Sequence, residues 1–529
     1  MNRQPLRNKA PGQARVSQPF QLPAPTKGWY VGANIADAPP GTAYILQNVF
    51  PQLNYLKVRG GSQAWAVGMP SNNVSTLMPW VSGTSSKLFA VCNGSIYDVT
   101  SSGTVPAAGL TGLSNSNMIF VEFAGSSGSY LFAVNGVDSM KQWNGTAWSS
   151  PAITGTSAVF SYVTSFKNRL YMAEANSLNV WYLGSLAISG AATQFPMQGI
   201  FKYGGYIMAI GSWAIDSTSG IYESFCVITS EGEVAMYDGS DPSTWSLKGT
   251  YKISKPLGPN CLIKAGGDML VLTQDGIVPM SQVQTLDQIA LQNVAVTQPI
   301  QPAWRDAVIA RSGLTNWTMT MWPLQSLGIV NLPKLSAQDY TQYVVNARTG
   351  AWASYVGWDA NSFAVFNNNL YYGTSDGKVM QADVGSADGA DNITVPNVAG
   401  TNYTAIIFHS FTDLGTGPYH KQLRMAHPYI TSNFYQNLQV NVNVDFDLSI
   451  PNSPPALLPP SGGPVWDTTH WDVGVWTGGL ATQSAWQAAN AFGTMFAPII
   501  QVTLSTNSQS ADIRLMRTDL LFETAEIIA

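Results

Sequence analysis

The side chains that most often carry catalysis or bind metals are few and scattered in this sequence. All four histidines lie in the last quarter of the chain, and their spacing fits no zinc pattern, with no cysteine nearby: His409, His420, His427 and His470. Scattered core or surface histidines are therefore the interpretation we favour. Every second residue from 441 to 447 is an asparagine or an aspartate: Asn441, Asn443, Asp445 and Asp447. Their oxygen atoms would lie on one strand face and could bind a calcium ion. Ordinary solvation of an exposed face is the simpler interpretation.

Motifs of known enzyme classes are also missing from the sequence. It contains no HExxH zinc motif and no Walker loop, and its one GxSxG match, residues 373–377 (GTSDG), falls in a predicted hairpin turn rather than in a strand-to-helix nucleophile turn. Residues 238–245 (DGSDPSTW) approach the Asp box of sialidase propellers, but three of its five defining positions depart from that pattern: Asp238, Ser240 and Pro242. We interpret this stretch as a polar loop between strands, with Trp245 packed against the next strand. The sequence thus predicts no enzyme, no cofactor and no metal.

Positive charge is concentrated at the N-terminus. Five basic residues precede the first acidic residue, Asp37: Arg3, Arg7, Lys9, Arg15 and Lys27. With five of the 25 basic residues there, the rest of the chain carries 20 basic against 30 acidic residues, a net charge of −10. Prolines interrupt the same stretch, so residues 1–27 are predicted to be an extended arm that does not fold alone. Docking on a neighbouring subunit, contact with nucleic-acid phosphates and a solvated tail all remain open. Truncating the arm is expected to weaken docking more than folding.

The cysteines and the hydropathy pattern restrict the compartment. Cys92, Cys226 and Cys261 are odd in number, widely spaced and without a CxxC pair, which favours buried free thiols in a reducing cytoplasm. No stretch approaches the ~18 apolar residues needed to cross a bilayer. The N-terminus has no apolar signal region, so we expect neither a membrane span nor a secretory signal.

The overall composition is unusual in its lack of charge. Only 10% of the residues are charged, against about 25% in an ordinary soluble domain, while 45% are hydrophobic. The surface must therefore be built from uncharged polar residues, which do little to keep subunits apart. Large permanent contacts with other subunits would explain this composition. A glycan-binding or secreted β-protein is the competing explanation.

The elements that would position these residues are short hairpins. Apolar runs begin near residues 88, 131, 170, 226 and 269 and are followed by tight turns such as Asn93-Gly94 and Asp275-Gly276. Intervals of 43, 39, 56 and 43 residues between the runs are typical of β-propeller blades. The sequence predicts an all-β protein with a propeller of five to seven blades over residues 86–399, preceded by a platform segment, residues 28–85. An array of β-sandwiches is the alternative.

Two further elements stand out. Residues 302–311 begin with proline and place Trp304, Ala307 and Val308 on one face, which predicts a short helix. Residues 438–450 alternate strictly between apolar and polar side chains, which predicts a long half-buried strand. Proline-rich residues 451–464 must form a loop, and residues 499–504 and 513–522 supply two more strands. Residues 400–529 are therefore expected to form a separate antiparallel β-domain.

Several stretches that together span most of the chain resemble the propeller-bearing tail hub or nozzle proteins of short-tailed phages. The resemblance is carried by residues 38–40 (APP), 46–51 (LQNVFP), 58–61 (VRGG), 238–242 (DGSDP), 255–258 (KPLG), 267–281 (which contain DGIVPMS), 329–333 (IVNLP), 346–352, 357–359 (GWD), 371–377 (YYGTSDG), 411–415 (FTDLG), Lys421, 427–428 (HP) and 444–447 (VDFD). The departures are the long arm before Gly28 and residues 387–391 (ADGAD), where a more acidic run is expected.

The resemblance implies a structural virion protein. It implies a ring, expected to be a homohexamer, below the portal and its adaptor, with fibre or needle proteins attached and double-stranded DNA passing through the lumen without sequence specificity. Localisation in the phage tail, after assembly in the host cytoplasm, follows from the same resemblance. The mildly acidic body would let DNA slide rather than adhere. The runner-up function is a tail receptor that binds or depolymerises host glycan.

Overall fold

A computed structural model describes residues 17–32, 34–126, 128–217, 220–239, 241–391, 393, 399–417, 419–433, 438–453, 481–483, 485–504 and 512–524. The chain is all-β in these residues, as predicted, and its helices are short. No described helix is long and apolar enough to span a membrane.

The strands follow one another in chain order. The first group comprises β1 Gln18–Pro23, β2 Ala43–Gln47, β3 Val49–Pro51, β4 Leu56–Val58, β5 Ser62–Val67, β6 Val74–Ser82, β7 Ser85–Cys92, β8 Ser95–Asp98, β9 Gly103–Thr104, β10 Ile119–Gly125, β11 Gly128–Val134, β12 Lys141–Trp143, β13 Trp148–Ser149 and β14 Ile153–Thr154. The second comprises β15 Phe160–Phe166, β16 Arg169–Glu174, β17 Asn179–Tyr182, β18 Gly190–Ala191, β19 Thr193–Pro196, β20 Ile207–Ser217, β21 Gly220–Thr229, β22 Glu233–Asp238, β23 Ser246–Lys252, β24 Leu262–Ala265, β25 Asp268–Thr273 and β26 Gly276–Pro279. The third comprises β27 Thr318–Trp322, β28 Leu327–Asn331, β29 Thr341–Asn346, β30 Trp352–Val356, β31 Ser362–Phe366, β32 Asn369–Gly373, β33 Val379–Ala382, β34 Tyr403–His409, β35 Lys421–Ser432, β36 Leu438–Val444, β37 Ala481–Gln483, β38 Gln487–Gly493, β39 Phe496–Leu504 and β40 Ile513–Thr524.

The helices cluster between β26 and β27. They are α1 Met280–Val283, α2 Gln288–Leu291 and α3 Gln301–Ala310, together with 3-10 turns at Gln292–Val294 and Gln298–Ile300. Three other 3-10 turns lie elsewhere in the chain, at Ile35–Asp37, Pro242–Thr244 and Pro323–Gln325. The predicted helix over 302–311 is confirmed as α3, with Trp304 and Ala307 buried. Trp304 packs on Trp317 with ring centroids 5.6 Å apart, so α3 covers the end of β27.

Tight turns connect the hairpins because certain residues tolerate positive φ. Asn93 and Gly94, between β7 and β8, have φ of 48° and 69°, as the Asn-Gly pair predicts. Asn367 and Asn368 make the same kind of turn between β31 and β32, with φ of 48° and 64°. The Asn93-Gly94 turn is therefore confirmed. Between β25 and β26 the hairpin forms differently, because Asp275 has no positive φ and Gly276 already pairs with Thr273.

Seven antiparallel sheets succeed one another between residues 62 and 382. They are β6-β7-β8, β10-β11-β12-β13, β15-β16-β17-β19, β20-β21-β22-β23, β24-β25-β26, β27-β28-β29-β30 (the first half of a larger, eight-stranded sheet) and β31-β32-β33-β5-β9, in which the short β9 pairs in parallel with β5. The first strands begin at residues 74, 119, 160, 207, 262, 318 and 362. The first of these sheets therefore begins at residue 74 rather than 86, and β5, from the expected platform segment, pairs with β33 of the seventh sheet.

Neighbouring sheets share cores of apolar and aromatic side chains. The first strand of each sheet contacts the next sheet in the chain, and β31 of the seventh sheet contacts β6 of the first. Between the third and fourth sheets, Trp245 stacks on Tyr171 at 5.3 Å and packs on Phe225 at 4.6 Å. Between the first and second, Phe89 packs on Trp143 and Trp148. Burial of large aromatics between sheets is thus the main packing theme.

The C-terminal strands are not separated from the preceding ones at residue 400. One eight-stranded sheet has the order β27-β28-β29-β30-β2-β34-β39-β36, so strands from both sides of residue 400 and one N-terminal strand share it. A second sheet has the order β3-β4-β40-β35-β37, with β1 on β40 and β38 on β35. The expected boundary at residue 400 is therefore not a boundary between sheets, because β2 bridges β30 and β34.

The C-terminal half of the predicted arm is folded onto this chain. β1 pairs antiparallel with β40, from Gln18 opposite Phe522 to Pro23 opposite Arg517, and Phe20 packs on the adjoining core. Ala24 is buried. The two prolines of β1 are compatible with an edge strand, where one row of N–H groups has no sheet partner. Residues 18–24 of the predicted arm are therefore part of the folded chain, whereas the expected docking role of the arm stays a prediction.

The predicted strand over residues 438–450 ends early. β36 stops at Val444, and Asp445 and Phe446 adopt φ of 48° and 66°. The Asp445 carboxylate accepts hydrogen bonds from the N–H groups of Thr494 and Met495, at 2.8 and 3.1 Å, which turns the chain away from the sheet. Most of the predicted loop at 451–464 lies outside the described residues.

Candidate functional site

A cavity of about 830 Å³ lies where the N-terminal ends of the seven first strands meet. We call it the asparagine cavity. Its described lining includes Asn73, Asn115, Asn117, Asn135, Asn260, Asn316, Asn331 and Asn361, together with Ser161, Tyr206, Lys334 and the loop residues 332–337. Every one of the seven sheets contributes to the wall, so the cavity exists only in the assembled tertiary structure.

Five of these asparagines occupy equivalent places. They stand one or two residues before the first strand of their sheet: Asn73, Asn117, Asn260, Asn316 and Asn361. The residue that follows each of Asn73, Asn117, Asn260 and Asn316 is an apolar side chain buried between sheets, which fixes the asparagine at the strand end. The side-chain amides of these four make no hydrogen bond to any described residue and face the cavity exposed.

Other lining residues hold the wall together. The Asn135 amide donates to the Asn115 carbonyl at 2.8 Å and to Asp138 at 2.7 Å. The Asn331 amide, which is buried, donates to the carbonyl of Ala360 at 3.2 Å. These asparagines therefore serve the framework rather than a ligand.

The asparagine cavity is close to electrically neutral. Among the described residues that line it, Lys334 alone is charged, and its ammonium group is paired with Asp359 and donates to the Ser375 hydroxyl at 2.6 Å. The loop that carries Lys334 is fixed by Arg311, which donates to the Pro333 carbonyl at 2.7 Å. A wall of carboxamides and hydroxyls offers hydrogen-bond donors and acceptors but no general acid or base at neutral pH.

The basic residues predicted as a docking site are largely outside the structure. Arg3, Arg7, Lys9 and Arg15 lie outside the described residues. Lys27 is exposed, and its backbone N–H donates to the Gly41 carbonyl at 3.0 Å. Lys27 does not line the asparagine cavity, so the site that the fold builds is not the one the charge pattern suggested. The signal that could have found the cavity is the asparagine that stands just before five of the seven first strands.

The described histidines and carboxylates do not assemble into a metal site. In the part of the chain that the structure describes, no three His, Cys, Asp or Glu side chains are placed to hold an ion. Hydrogen bonds from Thr494 and Met495 outweigh the effect of burial and hold the pKa of Asp445 below its usual value, while Asp447 accepts from the Ser449 N–H. Both carboxylates thus shape turns. His470 lies outside the described residues.

His409 is buried in the apolar end of β34. Burial lowers the pKa of this imidazole to about 3. An unfolded chain protonates the same group near its ordinary pKa, so the folded state binds fewer protons as the pH falls. The free energy of unfolding is therefore unaffected by His409 above about pH 6.5 and falls progressively below that pH, because the buried imidazole stays neutral while the unfolded chain takes up a proton.

We expect the variant His409→Phe to show a flatter acid profile than the wild-type protein. Between pH 7 and pH 5 the free energy of unfolding of the wild type should fall by about 2 kcal/mol more than that of the variant, because the penalty grows by 1.36 kcal/mol per pH unit below the unfolded pKa. Urea unfolding at both pH values measures this difference. His420→Phe, at an exposed histidine, is the control and should retain the wild-type profile. Parallel profiles for the wild type and His409→Phe would contradict the assignment.

The remaining candidate residues from the sequence analysis contribute to packing and to loops. Gly239 and residues 241–245 lie between β22 and β23, and Asp241 pairs with Arg169 of the neighbouring sheet. Trp245 is packed between those two sheets rather than against the next strand alone. The three cysteines are free and buried, and burial raises the pKa of Cys226 and Cys261 to about 12, which leaves unreactive thiols.

Comparisons with known proteins add little. No protein-family model matches the chain, and no curated protein matches it. Among the solved structures that match, the crystal structure of BBS1N in complex with ARL6DN aligns with 61% of this chain and 97% of that chain, at 12% identity and a TM-score of 0.39. A TM-score this low establishes no common fold.

Proposed function

We propose that the chain is a structural protein of a short phage tail. In this proposal the seven successive sheets are the blades of a closed propeller, and copies of the chain, six by the family resemblance, form a nozzle or hub ring. The ring continues the DNA channel below the portal and its adaptor and carries fibre or needle proteins.

The contacts between sheets support the propeller. Each sheet packs on the next through its first strand, and β31 on β6 joins the last sheet to the first. β5 precedes all the other blade strands in the sequence, and it pairs with β33, which follows them. Joining the two chain ends in one blade is how a propeller would close.

The structural role is supported chiefly by one observation: three of the stretches that resemble nozzle proteins meet in the fold. The LQNVFP, VRGG and GWD stretches come together around Arg59, whose guanidinium group binds the Asn48 side chain and the Val356 carbonyl and packs over Trp358. This assembly is buried. Three stretches that carry the proposed resemblance thus lie in a buried framework rather than at an open site, which supports assembly over catalysis.

The aromatic residues support the same choice. A glycan-cleaving surface would display clustered aromatics beside carboxylates, whereas Trp80, Trp143, Trp148 and Trp245 are packed between sheets. Trp304, Trp317, Trp352 and Trp358 are fully buried. The high aromatic content is therefore accounted for by packing, and the runner-up function as a depolymerising receptor loses its main argument.

Imaging of the purified chain tests the proposal. We expect negative-stain electron microscopy to show rings with sixfold symmetry and an open lumen, and mass photometry to give about six times the mass of one chain, because head-to-tail contacts between identical subunits close into rings. A chain that stays monomeric at high concentration would contradict the proposal. So would turnover of a capsular or lipopolysaccharide glycan by the purified protein.

A further inference from the structure

We propose that the asparagine cavity is a binding site for an uncharged saccharide. This inference goes beyond the structural role in the tail, and it concerns a single chain whether or not rings form. It rests on the placement of free carboxamides, the neutrality of the wall and the apolar groups at its edge.

Free hydrogen-bonding groups surround the cavity. Asn73, Asn117, Asn260 and Asn316 come from four different sheets and present side-chain amides with no partner among the described residues. Each carboxamide offers two donors and one acceptor oxygen. A ligand that carries hydroxyl groups around its whole edge, each both donor and acceptor, matches such an arrangement.

The lack of charge excludes other ligand classes. Phosphate and carboxylate ligands are bound in proteins by arginine, lysine or backbone N–H groups with a net positive field. Here the single cationic side chain of the described lining, Lys334, is already neutralised by Asp359. A nucleotide, a nucleic-acid strand or an acidic glycan would therefore leave its charge unpaired in the cavity.

Apolar groups at the edge suit the faces of a sugar ring. Tyr206 immediately precedes β20, is 37% exposed, and lines the cavity, as do Leu314 and Leu335, which are 40% and 53% exposed. Sugar rings present C–H faces as well as hydroxyl edges, so an aromatic face beside carboxamides accommodates both. A volume of about 830 Å³ lies within the range of small-molecule sites.

The geometry favours a compact ligand over an extended peptide. A peptide strand requires a linear row of donors and acceptors, such as a sheet edge provides. The free amides in the cavity instead stand around it on separate sheets. A short oligosaccharide is therefore the occupant that the arrangement fits.

Binding to the full-length chain tests the inference. Calorimetry and saturation-transfer NMR would use maltotriose, mannotriose and chitotriose as neutral probes, with sialyllactose, ATP and triglycine as competing classes. We expect at least one neutral trisaccharide to bind saturably. Asn117→Ala and Asn316→Ala should each weaken that binding about fivefold to tenfold, the value of one hydrogen bond. Tyr206→Ala should weaken it to a similar extent.

Asn402→Ala is the matched control, because Asn402 is also exposed and makes no side-chain hydrogen bond to the residues that the structure describes, but lines a different cavity. The affinity of this variant for the trisaccharide should change less than about twofold. The asparagine variants should keep the wild-type melting temperature, since their amides bond to no other described residue. No binding of any neutral probe at 10 mM (roughly the weakest useful affinity) would overturn the inference. Binding insensitive to Asn117→Ala and Asn316→Ala, or preference for ATP, sialyllactose or triglycine, would overturn it as well.

Discussion

Replacing Arg59 by alanine is expected to lower the free energy of unfolding by about 3–5 kcal/mol, the cost of breaking a buried ion pair from one side. Arg59 is only 1% exposed in its side chain, and Asp388 only 6%. The two guanidinium Nη atoms reach the two carboxylate oxygens at 2.7 and 2.6 Å. Removing the cation leaves Asp388 as an uncompensated buried charge.

The remaining donors of Arg59 are also used. Nε donates to the Asn48 side chain at 2.9 Å, and Nη1 and Nη2 donate to the carbonyls of Gly60 and Val356 at 2.9 and 2.7 Å. The guanidinium group lies 3.9 Å from the centre of the Tyr403 ring. Burial alone would lower the pKa of Arg59, but Asp388 more than compensates and raises it, so the group stays charged.

Urea unfolding of Arg59→Ala measures the effect, and Arg424→Ala provides the matched control. Arg424 pairs with Glu523 at 3.0 Å but is 46% exposed, so its loss should cost below about 1 kcal/mol. Asp388→Asn should approach the cost of Arg59→Ala, and the double variant should cost less than the sum of the two. Equal urea midpoints for Arg59→Ala and Arg424→Ala would show that the buried pair of Arg59 and Asp388 does not stabilise the fold more than an exposed ion pair does.

Removing residues 1–24 is expected to destabilise the chain by about 3 kcal/mol and to promote self-association, whereas removing residues 1–16 should change stability by less than about 0.5 kcal/mol. The longer deletion removes β1, the half-buried side chains of Phe20 and Leu22, and buried Ala24. It also uncovers the edge of β40 from Arg517 to Phe522, and an unpaired edge is a template for pairing with another chain.

Urea midpoints and light scattering of the two truncated proteins test this prediction. Because both deletions remove Arg3, Arg7, Lys9 and Arg15, the comparison separates the loss of basic charge from the loss of β1. If the shorter deletion alone weakens assembly with a tail partner, the basic residues dock as the charge pattern suggests. Identical stability of the two truncated proteins would show that β1 contributes nothing to the fold.

Local signals determined much of the fold from the sequence. Asn-Gly and Asn-Asn turns, alternation of apolar side chains and the proline at the start of α3 each act within a few residues, because they reflect φ preferences and side-chain direction. The hairpin repeat and the single longer helix could therefore be predicted. The low charge content was equally accessible, since composition alone restricts the surface.

Contacts distant in sequence were decided by the tertiary structure. Arg59 and Asp388 lie 329 residues apart, and β1 pairs with a strand about 500 residues away. The early end of β36 depends on a carboxylate that binds Thr494 rather than on its own alternation. Nothing within a short window marks such partners, because their meeting depends on how the whole chain closes its loops.

The asparagine cavity shows both sides of this division. Asparagine before five of the seven first strands is visible in the sequence, yet an exposed asparagine beside a turn is ordinary and signals nothing alone. Only when the seven sheets pack on one another do Asn73, Asn117, Asn260 and Asn316 face one space. The residue types were therefore determined by the sequence, and their convergence by sheet packing, since a cavity is a property of several segments at once.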